Sequence, residues 1–339
     1  MRWLGLVLVA QTACVVDTGS AVGKPCPCPD DLACVSGVCR QPAGACAPLI
    51  TAEGFRPTWA TPEAIRWDWS PKGEAEDFSA YELVVGTSRE DAATARGSAR
   101  IFDATVNPEL GFFFAPRESG VFEVDYTISD GLAPYSPQDA TRYYAKLITR
   151  DVAGCEHETS VAESATSLAP VSKVDIFDDV LSYEVRGVPL TVESGAGVDG
   201  SAALRCSAAD CLHQTGEWDN MRLVGSIDLT SISDNAVTSG QAYLELSIAV
   251  VSDTPIYYAE VALERDEGDT IRGWQFQRVH LRASLTKQFQ KIQVPLNALL
   301  DVDMALDAAT LAQPLDGLRV GADFANAADV YLDAIAVRW

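Results

Sequence analysis

Apolar and polar positions alternate along most of this chain. In "AIRWDWS", Ile65, Trp67 and Trp69 fall on one side, and Arg66 and Asp68 on the other. A period of two is the mark of a half-buried strand. "FSAYELVVGTS", "GVFEVDYTIS" and "TRYYAKLITRDVAG" continue it; in the last, Tyr143, Ala145, Leu147 and Thr149 share a face. The alternation resumes at Lys173 with "KVDIFDDV" and runs to the closing "DVYLDAIAVRW". In "AYLELSIAV", Leu244, Leu246, Ile248 and Val250 point one way, Tyr243, Glu245 and Ser247 the other. In "IYYAEVALE", Tyr257, Ala259, Val261 and Leu263 are the inward set, with Tyr258, Glu260 and Glu264 outside. In "GWQFQRVHLR", strict alternation sets Trp274, Phe276, Arg278 and His280 against Val279 and Leu281, and predicts the first set outward. Only "LNALLDVDMALDAATLA" (296–312) reads as helical. Regular strands separated by Pro, Gly and Asp turns predict an all-β chain of two sandwiches.

Two segments break the pattern. "HETSVAESATSLAPVS" is rich in Ser, Thr and Ala, and predicts a linker over 159–172 between bodies at 46–158 and 173–339. Upstream, "GKPCPCPDDLACVSGVCR" spaces Cys26, Cys28, Cys34 and Cys39 as C-x-C-x5-C-x4-C with almost no apolar periodicity. Only crosslinks hold such a segment. Zinc is the rival to two disulfides among these four thiols. Export to an oxidising compartment favours disulfides.

Export is indicated by the first residues. Met1 and Arg2 precede a short apolar run, Trp3 to Ala10, too short to span a bilayer. The run is followed by Gln11-Thr12-Ala13-Cys14. A small residue before cysteine in this place resembles a bacterial lipobox, which implies cleavage after residue 13 and a lipid on Cys14. The chain has nine cysteines. With Cys14 lipidated, an even number is left to pair, and residues 14–45 become a lipidated, Cys-rich spacer. The expected location is the bacterial outer membrane or cell surface, with lipid as the only membrane anchor.

The formal net charge of −23 disfavours nucleic acid and anionic lipid as partners. There are three histidines, His157, His213 and His280, and no H-E-x-x-H, G-x-S-x-G or P-loop string. No enzyme is expected. Cys206 and Cys211, close to a strand end, read as a local disulfide whose short loop gains only about 2 kcal/mol.

Trp67 or Trp69, Tyr81-Glu82-Leu83-Val84, and Tyr143-x-Ala145-x-Leu147-x-Thr149-x-Asp151-x-x-Gly154 resemble a fibronectin type III domain. That resemblance implies an Ig-like sandwich over 46–158 with Tyr143 as its tyrosine-corner residue. Cys46 and Cys155 flank this body and are expected to bridge. Over 173–339, the Asp-rich opening strand, "GSAALR", "QKIQVPL" and "VYLD" resemble galactose-binding-like jelly rolls, a group that includes many carbohydrate-binding modules. A structural calcium is implied by that resemblance, on Asp178 or Asp179, Asp199 and Asp333.

Outward aromatic rings beside charged or amide groups are what sugar binding uses: rings stack on the pyranose, and polar groups bond its hydroxyls. Tyr258 and Trp274 are the expected stackers, Glu260 and Arg278 their hydrogen-bonding partners, with Tyr243 and Phe276 beside them. The expected partner is a polysaccharide or glycan. The competing reading is a structural or protein-interaction lipoprotein of the envelope with no sugar ligand, since outward Tyr and Glu on strands are ordinary.

Overall fold

The structure, a computed structural model, describes residues 27–28, 33–35, 38–40, 48–111, 113, 120–124, 128–129, 134–209, 211, 219–252, 256–268, 270–301, 304–323 and 328–339. The chain is all-β. Helix among the described residues is confined to short pieces: α1 (Arg89–Thr94), α2 (Asp234–Thr238), α3 (Ala308–Leu311) and single 3-10 turns. The helix expected over 296–312 reduces to a 3-10 turn at Leu296–Ala298 and α3, with two-residue strands at Leu300–Asp301 and Met304–Ala305 between them. Pairing of Leu300 with Gln275, and burial of Leu296, Leu299, Leu306 and Leu311, override local helix propensity.

The N-terminal sandwich packs two sheets. One is β1 (Thr51–Ala60), β2 (Ile65–Lys72) and β5 (Gly120–Val124), in that order. The other has β3 (Phe78–Gly86) between β4 (Arg100–Asp103) and β6 (Arg142–Asp151). Their inner faces meet in one core that includes Ile65, Trp67, Trp69, Tyr81, Leu83, Phe102, Tyr143, Ala145 and Leu147. Trp69 and Tyr81 meet edge to face at 5.0 Å. Burial pushes the Tyr81 hydroxyl up to about 12. Gln138 N–H donates to the Tyr143 hydroxyl at 2.7 Å, the geometry of a tyrosine corner.

Part of the expected linker over 159–172 is strand. β7 (Glu156–Glu158) and β8 (Ala162–Ala165) both pair with β6, so this sandwich extends through residue 165 and the connection shortens to 166–172. An edge strand with an exposed outer side, such as "AESA", carries little apolar alternation and is silent in a pattern search.

In the C-terminal sandwich, β10 (Glu184–Gly187), β13 (Asp219–Ile227), β18 (Leu315–Asp323), β15 (Ile256–Asp266) and β16 (Ile271–Ser284) follow one another across one sheet. The facing sheet runs β17 (Gln290–Pro295), β14 (Tyr243–Val251), β19 (Asp329–Arg338), β12 (Ala203–Cys206) and β11 (Thr191–Glu193), with β9 (Lys173–Phe177) also on β19. Leu244, Leu246, Ile248 and Val250 from β14 meet Val261 and Leu263 from β15 in a single large core.

Trp274 belongs to that core and is 1% exposed. The expectation that it faces outward is therefore corrected. The β15–β16 ladder pairs Ala259 with Val279 but Val261 with Phe276, so β16 carries one extra residue. That bulge inverts the alternation. Val279 and Trp274, separated by an odd number of residues, both stand opposite the inward series of β15.

The two sandwiches meet along a polar seam. The Thr61 hydroxyl donates to the side-chain oxygen of Gln293, and both residues are buried. Lys291 and Gln293 donate to Glu63 at 2.9 and 3.2 Å. The Arg66 guanidinium lies 4.6 Å from the centre of the Phe276 ring, and Trp59 meets the same ring edge-on at 6.3 Å. Arg66, outward on its own sheet, is only 3% exposed as a result.

Two predictions follow from this packing. Tyr143→Phe deletes the corner hydrogen bond and should cost about 1 kcal/mol, read as a lower denaturant midpoint. Trp274→Ala should cost about 3–5 kcal/mol, as loss of a buried ring does, where an exposed ring would cost a few tenths.

Candidate functional site

The outer face of the β10-β13-β18-β15-β16 sheet holds the molecule's main concentration of paired charge. Register explains it. Arg186 stands opposite Arg222, Arg222 opposite Arg319, Arg319 opposite Ala262, and Ala262 opposite Gln275. One row of side chains thus crosses five strands. Glu260 and Glu264 flank Ala262 at two residues' distance on β15, and so fall on the same face. The floor is low because its residues are small: Ala262, Gly273 and Gly317. At Gly317 a side chain would come within 2.8 Å of the Leu223 carbonyl oxygen, so β18 and β13 approach closely there.

Above this floor lies an open cleft of about 440 Å³ lined by Arg222, Glu264, Ile271, Gly273, Gln275, Leu300, Asp301 and Arg319. It continues into a second of about 180 Å³ that shares Arg222, Glu264 and Ile271 with it. Arg222 donates to Glu264 through Nε at 3.0 Å and Nη2 at 2.6 Å. Arg319 donates through Nε to Glu264 at 3.0 Å, through Nη2 to Gln275 at 2.9 Å, and through Nη1 to Glu260. Glu260 and Glu264 are buried beneath these guanidinium groups. Arg272 donates to Asp301 at 2.6 Å at one lip. Beside these polar groups stand two exposed aliphatic side chains, Ile271 at 50% and Leu300 at 43%.

Of the residues expected to bind ligand, Glu260 lies in this cluster. Trp274 does not, being in the core. Phe276 packs partly against the same core and against Arg66 and Trp59 of the other sandwich. Tyr243 lies on the opposite sheet and is 1% exposed; burial, then Glu245 and Glu63, hold its hydroxyl well above the usual range. Tyr258 and Arg278 lie on β15 and β16, with side chains outside the described residues. The expected platform of aromatic rings is thus replaced, as far as the described side chains go, by aliphatic and planar polar groups. Arg222, Arg319, Gln275, Ile271 and Leu300 were not legible as a set. The pairing of Arg222 with Arg319 comes from the register of two strands far apart in the chain.

The four aspartates expected at a calcium site are placed around one loop and its neighbours. Asp333 is buried; its carboxylate accepts from Val198 N at 2.7 Å, Ser201 Oγ at 2.6 Å and Ala334 N at 2.6 Å. Asp199 belongs to that loop. Asp179 accepts from Ala202 N at 2.6 Å, and Asp178 lies 4.0 Å from Lys173. Among the described residues, no three Asp, Glu, His or Cys side chains gather closely enough to hold a metal ion.

Cys206 and Cys211 are joined, as are Cys28 and Cys39. Cys34 stands opposite Cys39 in a hairpin of Ala33–Val35 with Val38–Arg40. Cys155 is disulfide-bonded; Cys46, expected as its partner, lies outside the described residues, as do Cys14 and Cys26.

No family model matches the chain, and no curated protein does. Solved structures that it resembles include a family 30 carbohydrate-binding module, at 16% identity and a TM-score of 0.32, covering 50% of this chain and 88% of that one. A family 11 carbohydrate-binding module from Clostridium thermocellum, solved with a β-1,3-1,4-mixed-linked tetrasaccharide, has 15% identity and a TM-score of 0.34, covering 50% and 96%. A structure from work on promiscuous carbohydrate-binding modules of the β-sandwich superfamily has 14% identity and a TM-score of 0.32, covering 84% and 96%. At such identities and scores, nothing about ligand carries over from them to this chain.

Proposed function

We propose that this protein is a non-catalytic, lipid-anchored envelope protein that holds a glycan chain along the outer groove of its C-terminal sandwich. One observation carries the proposal. Exposed Ile271 and Leu300 stand beside the planar groups of Gln275, Arg222 and Arg319 over a floor of small residues. A pyranose offers the matching pair of surfaces, apolar C–H faces and an equator of hydroxyls. Aliphatic side chains meet the first, and amide or guanidinium edges meet the second. The groove is open along its length, which suits a polymer better than a small solute. Glu260 and Glu264 both accept from guanidinium groups, which supports a role for them in holding the groove's shape. In this reading Cys14 carries the lipid, the Cys-rich segment is a spacer, and the fibronectin-like sandwich fixes the orientation of the groove through the Glu63, Arg66 and Thr61 seam.

Affinity electrophoresis of the full chain in gels containing polysaccharide tests the groove. Gln275→Ala should weaken retention about 2–10-fold, the range of one lost net hydrogen bond. The pair Ile271→Ser with Leu300→Ser should weaken it further, with the melting temperature unchanged within about 2 °C because both sites are exposed. Retention of no polysaccharide by the wild type leaves the structural-lipoprotein reading standing. The anchor is tested separately: metabolic labelling with palmitate should mark the wild type, and Cys14→Ala should abolish the label and release the protein from membranes.

A further inference from the structure

We propose that the groove selects for uncharged glycan chains and turns away chains bearing carboxylate or sulfate, an inference that rests on the glycan reading above.

Three arginines line the groove, with Arg272 beside Asp301 at its lip, which at first sight makes it an anion site. Guanidinium groups capture carboxylate and sulfate through two parallel N–H donors, and this requires a fork that is not already occupied. The forks of Arg186, Arg222 and Arg319 are engaged, and that of Arg272 in part. Arg186 places Nε and Nη2 on the two oxygens of Glu184, both at 3.0 Å. Arg222 spends Nε and Nη2 on Glu264. Arg319 spends Nε, Nη1 and Nη2 on Glu264, Glu260 and Gln275. Arg272 spends Nε on Asp301 and lies 4.0 Å from Glu267 through Nη1.

The surplus charge at the mouth is negative. Asp266 and Asp316 line the narrower end of the groove. Asp266 accepts from Gly268 N at 2.8 Å, and Asp316 from Asp266 N at 2.9 Å. Among the described residues neither carboxylate pairs with a basic side chain. An anionic sugar entering here meets two carboxylates that form no ion pair among the described residues, Asp266 feeling only the more distant charge of Arg186, and guanidinium groups already engaged by Glu184, Glu264 and Asp301. Glu264 is the carboxylate shared by two of the guanidinium groups, holding Arg222 through Nε and Nη2 and Arg319 through Nε. A neutral chain meets no such penalty. Its hydroxyls accept from the outer N–H edges and donate to carboxylate oxygens.

The experiment uses polysaccharides matched in backbone and different in charge. These are hydroxyethylcellulose with carboxymethylcellulose, dextran with dextran sulfate, and fully esterified pectin with polygalacturonate. Retention of the full chain is measured at about 0.15 M salt, where repulsion from distant charges is screened beyond about 8 Å. The neutral member of at least one pair should be held, with its charged partner about tenfold weaker or more. Glu264→Gln should remove one negative charge, loosen Arg222 and the Nε of Arg319, and bring the charged partner to within about threefold of the neutral one. Where Glu264→Gln does not fold, Asp266→Asn with Asp316→Asn, at exposed or half-exposed positions, should move the ratio the same way by a smaller factor.

A charged member held as tightly as its neutral partner by the wild type overturns the inference and leaves glycan binding intact. So does a ratio unmoved in a folded Glu264→Gln variant. Retention of no member of any pair overturns the glycan reading, and the inference with it.

Discussion

Charge placed on the outer face of a sheet and then covered is costly unless each charge meets its opposite, and that constraint organises the C-terminal sandwich. Glu260 and Glu264 are buried although they point away from the core. Desolvated carboxylates persist there because Arg222 and Arg319 lie directly over them. One guanidinium, that of Arg319, reaches Glu264 and Glu260 on β15 and Gln275 on β16 from its own place on β18. Three strands are thereby tied side chain to side chain, in addition to their backbone ladders. A groove floored by glycine and alanine keeps its shape because its walls are locked by these bonds.

The same logic joins the two sandwiches. Glu245 sits on the outer face of β14 and is buried, accepting from Arg338 at 2.7 Å and from Gln293 at 2.7 Å. Gln293 in turn accepts from Thr61 and donates to Glu63 of the other sandwich. Removing the N-terminal sandwich would bare Tyr243, Glu245 and Gln293 together. Arg66 would likewise lose the Phe276 ring that covers it. The second sandwich is therefore built as half of a pair, with a polar outer face completed by its neighbour. The seam is carried mainly by the sheet opposite the groove, with Phe276 of β16 joining it from the groove sheet.

Polar side chains facing away from the core thus divide into three fates. Some, such as Lys72 with Glu53, pair in water, where the energetic return is small. Others are buried in the seam. A third group is half-covered in the groove, where donors and acceptors remain at an accessible edge. Only this last arrangement offers a ligand both partners and access. The aromatic rings went elsewhere: Trp67, Trp69, Trp274, Tyr81, Tyr143 and Tyr243 are among the largest fully buried side chains.

Alternation alone determined a good deal. It made the chain all-β, set Ile65, Trp67 and Trp69 against Arg66, and put Leu244, Leu246, Ile248 and Val250 on the inner face of β14. Those facts depend on a period of two within one strand, and a sequence displays that directly. Pairing between strands is not displayed. Whether β16 carries an extra residue opposite β15 depends on ladder geometry, and that one residue moved Trp274 from an outward face into the core. Nor does a strand record what covers its second face. The part of the linker that became β8, the burial of Tyr243, and the meeting of Arg222 with Arg319 all depend on neighbours that a single strand does not record. Local chemistry fixed what strands such as β2 and β14 turn inward, whereas long-range register and the contact of two sheets decided the inward face of β16 and which outward residues became seam and which became groove.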